Sequence, residues 1–180
     1  EKITIKHLLS HRSGIHNFTD DPGYLSWNTV PKSEKEMLSI IEKGGSDFEP
    51  GSKAAYSNAN FVLLTFLLEK LYRTPYADLL QKEICKPLGL TNTTFGGKIK
   101  MVANECTSYQ YMDEWKESSE TDMSIPMGAG GIISTPIDLV RFSDALFGGK
   151  LVSTTSLETM KTMEDNFGAG LFKFPFYDKV

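Results

Sequence analysis

The sequence predicts a mainly α-helical chain with few short strands. Three observations carry this. Apolar stripes at helical spacing recur behind recognisable N-cap residues, and glycine or proline closes nearly every stripe. One stretch, Phe61 to Leu68, is apolar enough to form a central helix. Strand-like patterning is confined to the region around Thr107 to Met112 and to an aromatic tail, Phe172 to Val180.

Thr4 to His11 (T-I-K-H-L-L-S-H) reads as a first short helix. Thr4 caps it, Ile5, Leu8 and Leu9 share a face, and Gly14 stops it. Asn17 to Lys32 is polar and turn-rich, with Asp21-Pro22-Gly23 as the clearest turn. Tyr24 and Trp27 in that segment either cover a core or line a groove. Ser33 caps the second helix, Glu36 sits at the capping-box position, and Gly44-Gly45 ends it. The third helix runs from about Asn58 to Tyr72. It is apolar almost all round and is therefore expected to be central and buried. Tyr76 to Lys86 is a fourth, amphipathic helix closed by Pro87 and Gly89. The pattern weakens from Thr91 to Pro126, and the charged run Asp113 to Asp122 reads as a solvated loop. Thr135 caps a helix that opens with Pro136 and ends at Gly148-Gly149. Ser153 to Met163 is a last short helix.

A length of 180 residues suits one domain, spanning 1–180, with a real core. The formal net charge is −4, and no basic run interleaves with aromatics, which argues against nucleic acid as a partner. No apolar run reaches the roughly 18 residues of a bilayer span. Cys85 and Cys106 make no metal pattern, and whether they pair is open. The chain opens on Glu1-Lys2-Ile3 and closes on a tail that wants a strand partner. Both ends suggest a piece of a longer protein.

The chemistry concentrates in F-E-P-G-S-K-A-A-Y-S-N-A-N, Phe48 to Asn60, where a loop enters the third helix. Tyr56 as a general base needs nearby positive charge, because a free phenol titrates near a pKa of about 10. The helix N-terminus supplies about 1 kcal/mol of that, under one pKa unit. A lysine beside the phenol oxygen would supply the rest. Lys53 is poorly placed for this, so a base role calls for a lysine from elsewhere. The amide of Asn58 is both donor and acceptor and suits bridging that lysine and a substrate carbonyl. A plainer reading is that Ser57 or Asn58 caps the helix and Tyr56 packs over the loop.

Four blocks bear on the choice: I-T-I-K-H-L-L-S-H-R-S-G-I, the Tyr56 block, I-C-K-P-L-G-L-T-N-T-T-F, and G-A-G-G-I-I-S-T-P-I-D-L-V-R-F. In this order they resemble the serine β-lactamase-related family of class C β-lactamases, D-alanyl-D-alanine carboxypeptidases and related esterases. The resemblance implies the helical subdomain of a β-lactamase/transpeptidase-like α+β fold, without most of its central sheet. It implies an acyl-enzyme serine hydrolase acting on amide, β-lactam or ester carbonyls of small-molecule or peptide substrates. No metal or cofactor is implied, and the setting is periplasmic or otherwise extracytoplasmic. Tyr56 and Asn58 map to the family's Y-x-N, with Ser57 between them. Ser57, Gly130 and Gly131 are expected at the substrate groove, although the glycine run reads equally as a turn needing positive φ.

The chain departs from the pattern in two places. No serine is followed three residues later by lysine, and no histidine or Lys-Thr pair opens an H-x-G or K-T-G motif. The nucleophile motif is expected upstream and the third motif downstream. The piece alone is therefore expected to be inactive, with exposed apolar surface through which it could dimerise. A non-catalytic binding module of the same fold is the competing reading. His7 and His11, four apart, lack the intervening glutamate of a zinc hydrolase and read as helix-surface and loop histidines.

Overall fold

The computed structural model describes residues 2–175 except residue 104. Helices dominate: α1 (Ile5–Leu9), α2 (Glu34–Gly44), α3 (Asn58–Tyr72), α4 (Tyr76–Leu80), α5 (Lys86–Leu88), α6 (Pro136–Phe147) and α7 (Thr154–Lys161). Among the described residues four strands, β1 (Thr94–Phe95), β2 (Tyr109–Met112), β3 (Glu114–Glu117) and β4 (Ile132–Ile133), make two antiparallel pairs, β1 with β4 and β2 with β3.

The helix starts follow from their caps. Thr4 Oγ1 accepts the His7 N–H at 3.2 Å while His7 Nδ1 takes the Thr4 N–H, so histidine closes the capping box usually closed by Glu or Gln. Ser33 and Glu36 form the predicted box on α2. Thr135 Oγ1 accepts the Asp138 N–H, with Pro136 in the first turn of α6. The predicted fourth helix is continuous from α4 to α5 but widens into a π turn at Gln81–Cys85. Pro87 explains the widening. It has no N–H to donate, and its ring would meet the carbonyl four residues back in an α turn.

The main core gathers Phe18, Met37, Ile41, Ala59, Val62, Phe66 and Ile125, and Tyr24 and Trp27 cover it rather than line a groove. A smaller cluster joins Leu80, Cys85 and Leu90 to Phe95 and Phe142. Fully buried Asp138 ties the two ends of this region together. Its Oδ2 accepts the Asn92 N–H at 2.8 Å and the Thr93 hydroxyl at 3.0 Å, which offsets the cost of burying a carboxylate.

Three expectations change. The charged run after Met112 is not all loop. Asp113, at a left-handed φ of 65°, turns the chain so that Glu114–Glu117 pairs with β2 in the register Tyr109↔Glu117 and Tyr111↔Trp115. Alternating side chains leave both strands exposed, and the Tyr111 and Trp115 rings meet across the pair. The third helix is buried only in its first half, since Leu67, Leu68, Leu71 and Tyr72 are exposed. Of the tail, Phe172 makes a bridge to Phe167, the stretch to 175 forms no strand, and 176–180 lie outside the described residues. Both cysteines are free thiols, Cys85 buried and Cys106 exposed. No described helix is long and apolar enough to cross a membrane.

Candidate active site

The loop that delivers Tyr56 is laced to the segment after α1. The Gly51 N–H donates to the Arg12 carbonyl at 2.8 Å, and the Arg12 guanidinium returns a bond to the Gly51 carbonyl at 2.9 Å. The Ala55 N–H donates to the His11 carbonyl at 2.9 Å. Tyr56 emerges from this lacing 46% exposed, and its hydroxyl donates to Asn58 Oδ1 at 3.1 Å.

Asn58 is held from behind. Its side-chain NH2 donates to Asn17 Oδ1 and Thr19 Oγ1, both at 3.1 Å, and its backbone N–H donates to Asn17 Oδ1 at 3.0 Å. Both side-chain donors are therefore engaged away from Tyr56, and the amide turns its acceptor oxygen toward the phenol. The helix is capped by Asn17, 41 residues away, and not by Ser57. Ser57 precedes the helix with no capping bond, buries its side chain and donates to the His16 carbonyl at 3.3 Å.

His11, expected on the surface, is buried beneath Tyr56. The two rings stack with centroids 4.6 Å apart and planes at 29°. Phe61, Phe167 and Phe172 surround the same imidazole. His11 Nδ1 accepts the Ser57 N–H at 3.1 Å, and burial lowers the His11 pKa to about 4. The Phe167–Phe172 segment is anchored by Arg12, whose guanidinium pairs with Glu164 at 3.0 Å and Asp165 at 2.7 Å. Lys53 lies with its ammonium over the Phe48 ring, 4.9 Å from the centroid.

A cleft of about 200 Å³ opens beside Tyr56, lined by His11, Phe61, Gly128, Ala129 and Phe172 among others. The structure thus brings Gly128 and Ala129 to Tyr56, while Gly130 and Gly131 are not among the lining residues. Neither of those two glycines has positive φ; Met127 does, at 43°. Gly131 answers a close approach instead, because a Cβ there would overlap the Phe95 ring and lie 2.7 Å from the Met127 carbonyl oxygen. A larger cleft of about 840 Å³ runs between Thr93, Cys106, Ser119 and Ser134 and contains none of the Tyr56 group. Among the described residues no group of three His, Cys, Asp or Glu side chains is placed to hold a metal.

Sequence reasoning missed His11, Asn17 and Arg12. The only available signal was the L-L-S-H-R-S-G block, which marked the segment but not which of its side chains turn inward.

The beta-lactamase family model matches residues 1–174. The chain is 28% identical to a putative penicillin-binding protein, PbpX, of Bacillus subtilis, over 97% of this chain and 44% of that protein. A putative D-alanyl-D-alanine carboxypeptidase of Salmonella newport is 33% identical over 56% of this chain. Among solved structures, a D-stereospecific amidohydrolase from Streptomyces sp. superposes with a TM-score of 0.88 at 32% identity, covering 99% of this chain and 59% of that one. A D-amino acid amidase from Ochrobactrum anthropi gives 0.83 at 28%, covering 98% and 54%. The chain therefore spans about half the length of these relatives. A match over nearly the whole chain, on a fold these structures share, makes this chain a member of the beta-lactamase family.

Proposed function

We propose that this chain supplies the Tyr-x-Asn wall of a serine hydrolase that works through an acyl-enzyme, with the nucleophile on a segment outside these 180 residues. The observation that carries the reading is the bond from the Tyr56 hydroxyl to an Asn58 amide whose own donors are tied to Asn17 and Thr19. A phenol accepts a proton only beside positive charge, and the ammonium of Lys53 is engaged over Phe48. The activating lysine then belongs to an S-x-x-K motif elsewhere in the full-length protein. Asn58 Oδ1, an acceptor beside the phenol oxygen, suits that ammonium.

In this reading the activating ammonium holds Tyr56 as a phenolate, and as the serine oxygen attacks the carbonyl carbon its proton passes to that phenolate oxygen. The proton then goes to the leaving amine as the acyl C–N bond breaks, and water later hydrolyses the ester. Backbone N–H groups, one of them on a strand outside this chain, hold the developing oxyanion. The substrate class is an amide or lactam carbonyl on a D-configured residue. Support comes from similarity to proteins named as a D-stereospecific amidohydrolase, a D-amino acid amidase and a putative D-alanyl-D-alanine carboxypeptidase. An extracytoplasmic setting, the one implied by the family resemblance, is proposed here as well.

The test is labelling of the full-length protein with a fluorescent penicillin and a fluorophosphonate, the adduct being mapped by mass spectrometry. A serine outside this chain is expected to carry it. Tyr56→Phe is expected to slow acylation by about 10²- to 10⁴-fold. The isolated 180-residue chain is expected to turn over neither a chromogenic cephalosporin nor a p-nitrophenyl ester. If a folded full-length protein takes up neither probe, the non-catalytic binding module replaces this reading.

A further inference from the structure

We infer that His11 is the positioning residue for Tyr56, gripping the chain on both sides of it and bracing its ring from below. The inference rests on the proposed role of Tyr56. Its geometry belongs to one residue acting three times. The His11 carbonyl accepts the Ala55 N–H at 2.9 Å, His11 Nδ1 accepts the Ser57 N–H at 3.1 Å, and the imidazole stacks on the residue between them. Residues 53–57 have no helix or strand of their own to fix them. A half-exposed phenol there would otherwise sample several rotamers, and small misplacement of a proton-transfer group is costly in rate. His11 itself holds a left-handed φ of 53°, an unusual backbone setting for a residue with a Cβ.

The chemistry also selects histidine over its substitutes. Nδ1 faces two N–H donors, the Ser57 amide and the Asn60 side-chain NH2 at 3.2 Å. Asn60 is oriented by its own carbonyl oxygen, which accepts the Ser13 hydroxyl at 2.5 Å. Nδ1 must therefore present its lone pair, and the ring proton sits on Nε2. Burial favours the same neutral ring. The groups facing it are Tyr56, Phe61, Phe167 and Phe172, while Arg12, next in the chain, turns its charge to Glu164 and Asp165. Phenylalanine would keep the stack but strand the buried Ser57 N–H. Asparagine would keep an acceptor but lose the brace.

The test uses the full-length protein. Long-range ¹⁵N–¹H spectra are expected to show His11 with Nδ1 unprotonated and Nε2 protonated from about pH 5 to 8. A protonated Nδ1 in that window overturns the inference whatever the variants do. His11→Phe is expected to lower the acylation rate about 10- to 100-fold with substrate affinity little changed. In a Tyr56→Phe background the same change is expected to cost less than about 3-fold, because residues acting as a unit are not additive. His11→Asn, should His11→Phe not fold, is expected to give an intermediate loss that also vanishes in the Tyr56→Phe background. An unimpaired His11→Phe, or a loss that persists undiminished without the Tyr56 hydroxyl, sinks the positioning role. If instead Tyr56→Phe itself acylates at the full rate, the reading of the site fails, and this failure is separately visible.

Discussion

Gly131 illustrates how a single absent side chain sets the approach of two elements. Its carbonyl accepts the Gly96 N–H at 2.6 Å beyond the β1–β4 pair, and its own N–H closes onto the Met127 carbonyl at 2.8 Å. With the Phe95 ring lying where a Cβ would go, Gly131→Ala has to push either the ring or the strand aside. We expect it to destabilise the fold by about 1–3 kcal/mol, the usual cost of overpacking. Urea unfolding of the variant with an unchanged midpoint would show that the strand yields freely. At this scale the sequence was readable where chemistry is local. Tyr56 and Asn58, two apart across a helix start, marked a contact that spacing alone allows. The Asn17 cap and the His11 brace join residues 41 and 45 positions apart or more, so no local pattern could announce them. The glycine run showed only that side chains are excluded there, without distinguishing positive φ from close contact.

The helices were readable because their caps and stripes are properties of short sequence. Ser33-Glu36 and Thr135-Pro136 formed as their types require. The β2–β3 pair was missed in half, since charged Glu114–Glu117 has no apolar alternation and is held by register and by the Tyr111–Trp115 contact. Between elements, His16 joins two loops. Nδ1 lies 3.0 Å from Asp47 Oδ1 and Nε2 lies 3.2 Å from Asp21 Oδ1. The bond to Asp47, with Asp21 assisting, raises the His16 pKa above its ordinary value. A raised folded value means that the folded state holds a proton which the unfolded state has lost. This stabilisation is therefore full below about pH 6.5 and is lost as pH rises through the folded value. His11 acts in the opposite sense. Its pKa of about 4 means that the unfolded chain takes the proton first, so stability falls as pH drops from the ordinary value toward 4. We expect the difference in melting temperature between wild type and Asp47→Asn to be largest near about pH 6 and to shrink by about pH 9. A pH-independent difference would remove the ion pair from the account.

For the molecule as a whole, the informative mismatch is α3. Its sequence is apolar all round, which demands burial on every side, yet Leu71 is 75% exposed, and Leu67, Leu68 and Tyr72 lie open with it. On α6, Ile137, Leu139 and Val140 are likewise uncovered. Sequence periodicity reports how much surface wants cover and not whether the same chain provides it, so the expectation of a wholly buried helix overreached. Exposed apolar side chains of this kind favour association unless something masks them. We expect the isolated 180-residue chain to self-associate, with a mass that rises with concentration in light scattering. Leu68→Glu with Leu71→Glu places two charges one turn apart on that face, where neither side chain is among the buried core residues. The pair should shift the chain toward monomer at unchanged helix content. A wild-type chain that stays monomeric at roughly 100 µM would mean that this face is too dispersed to associate, since mass action favours self-association at such concentrations.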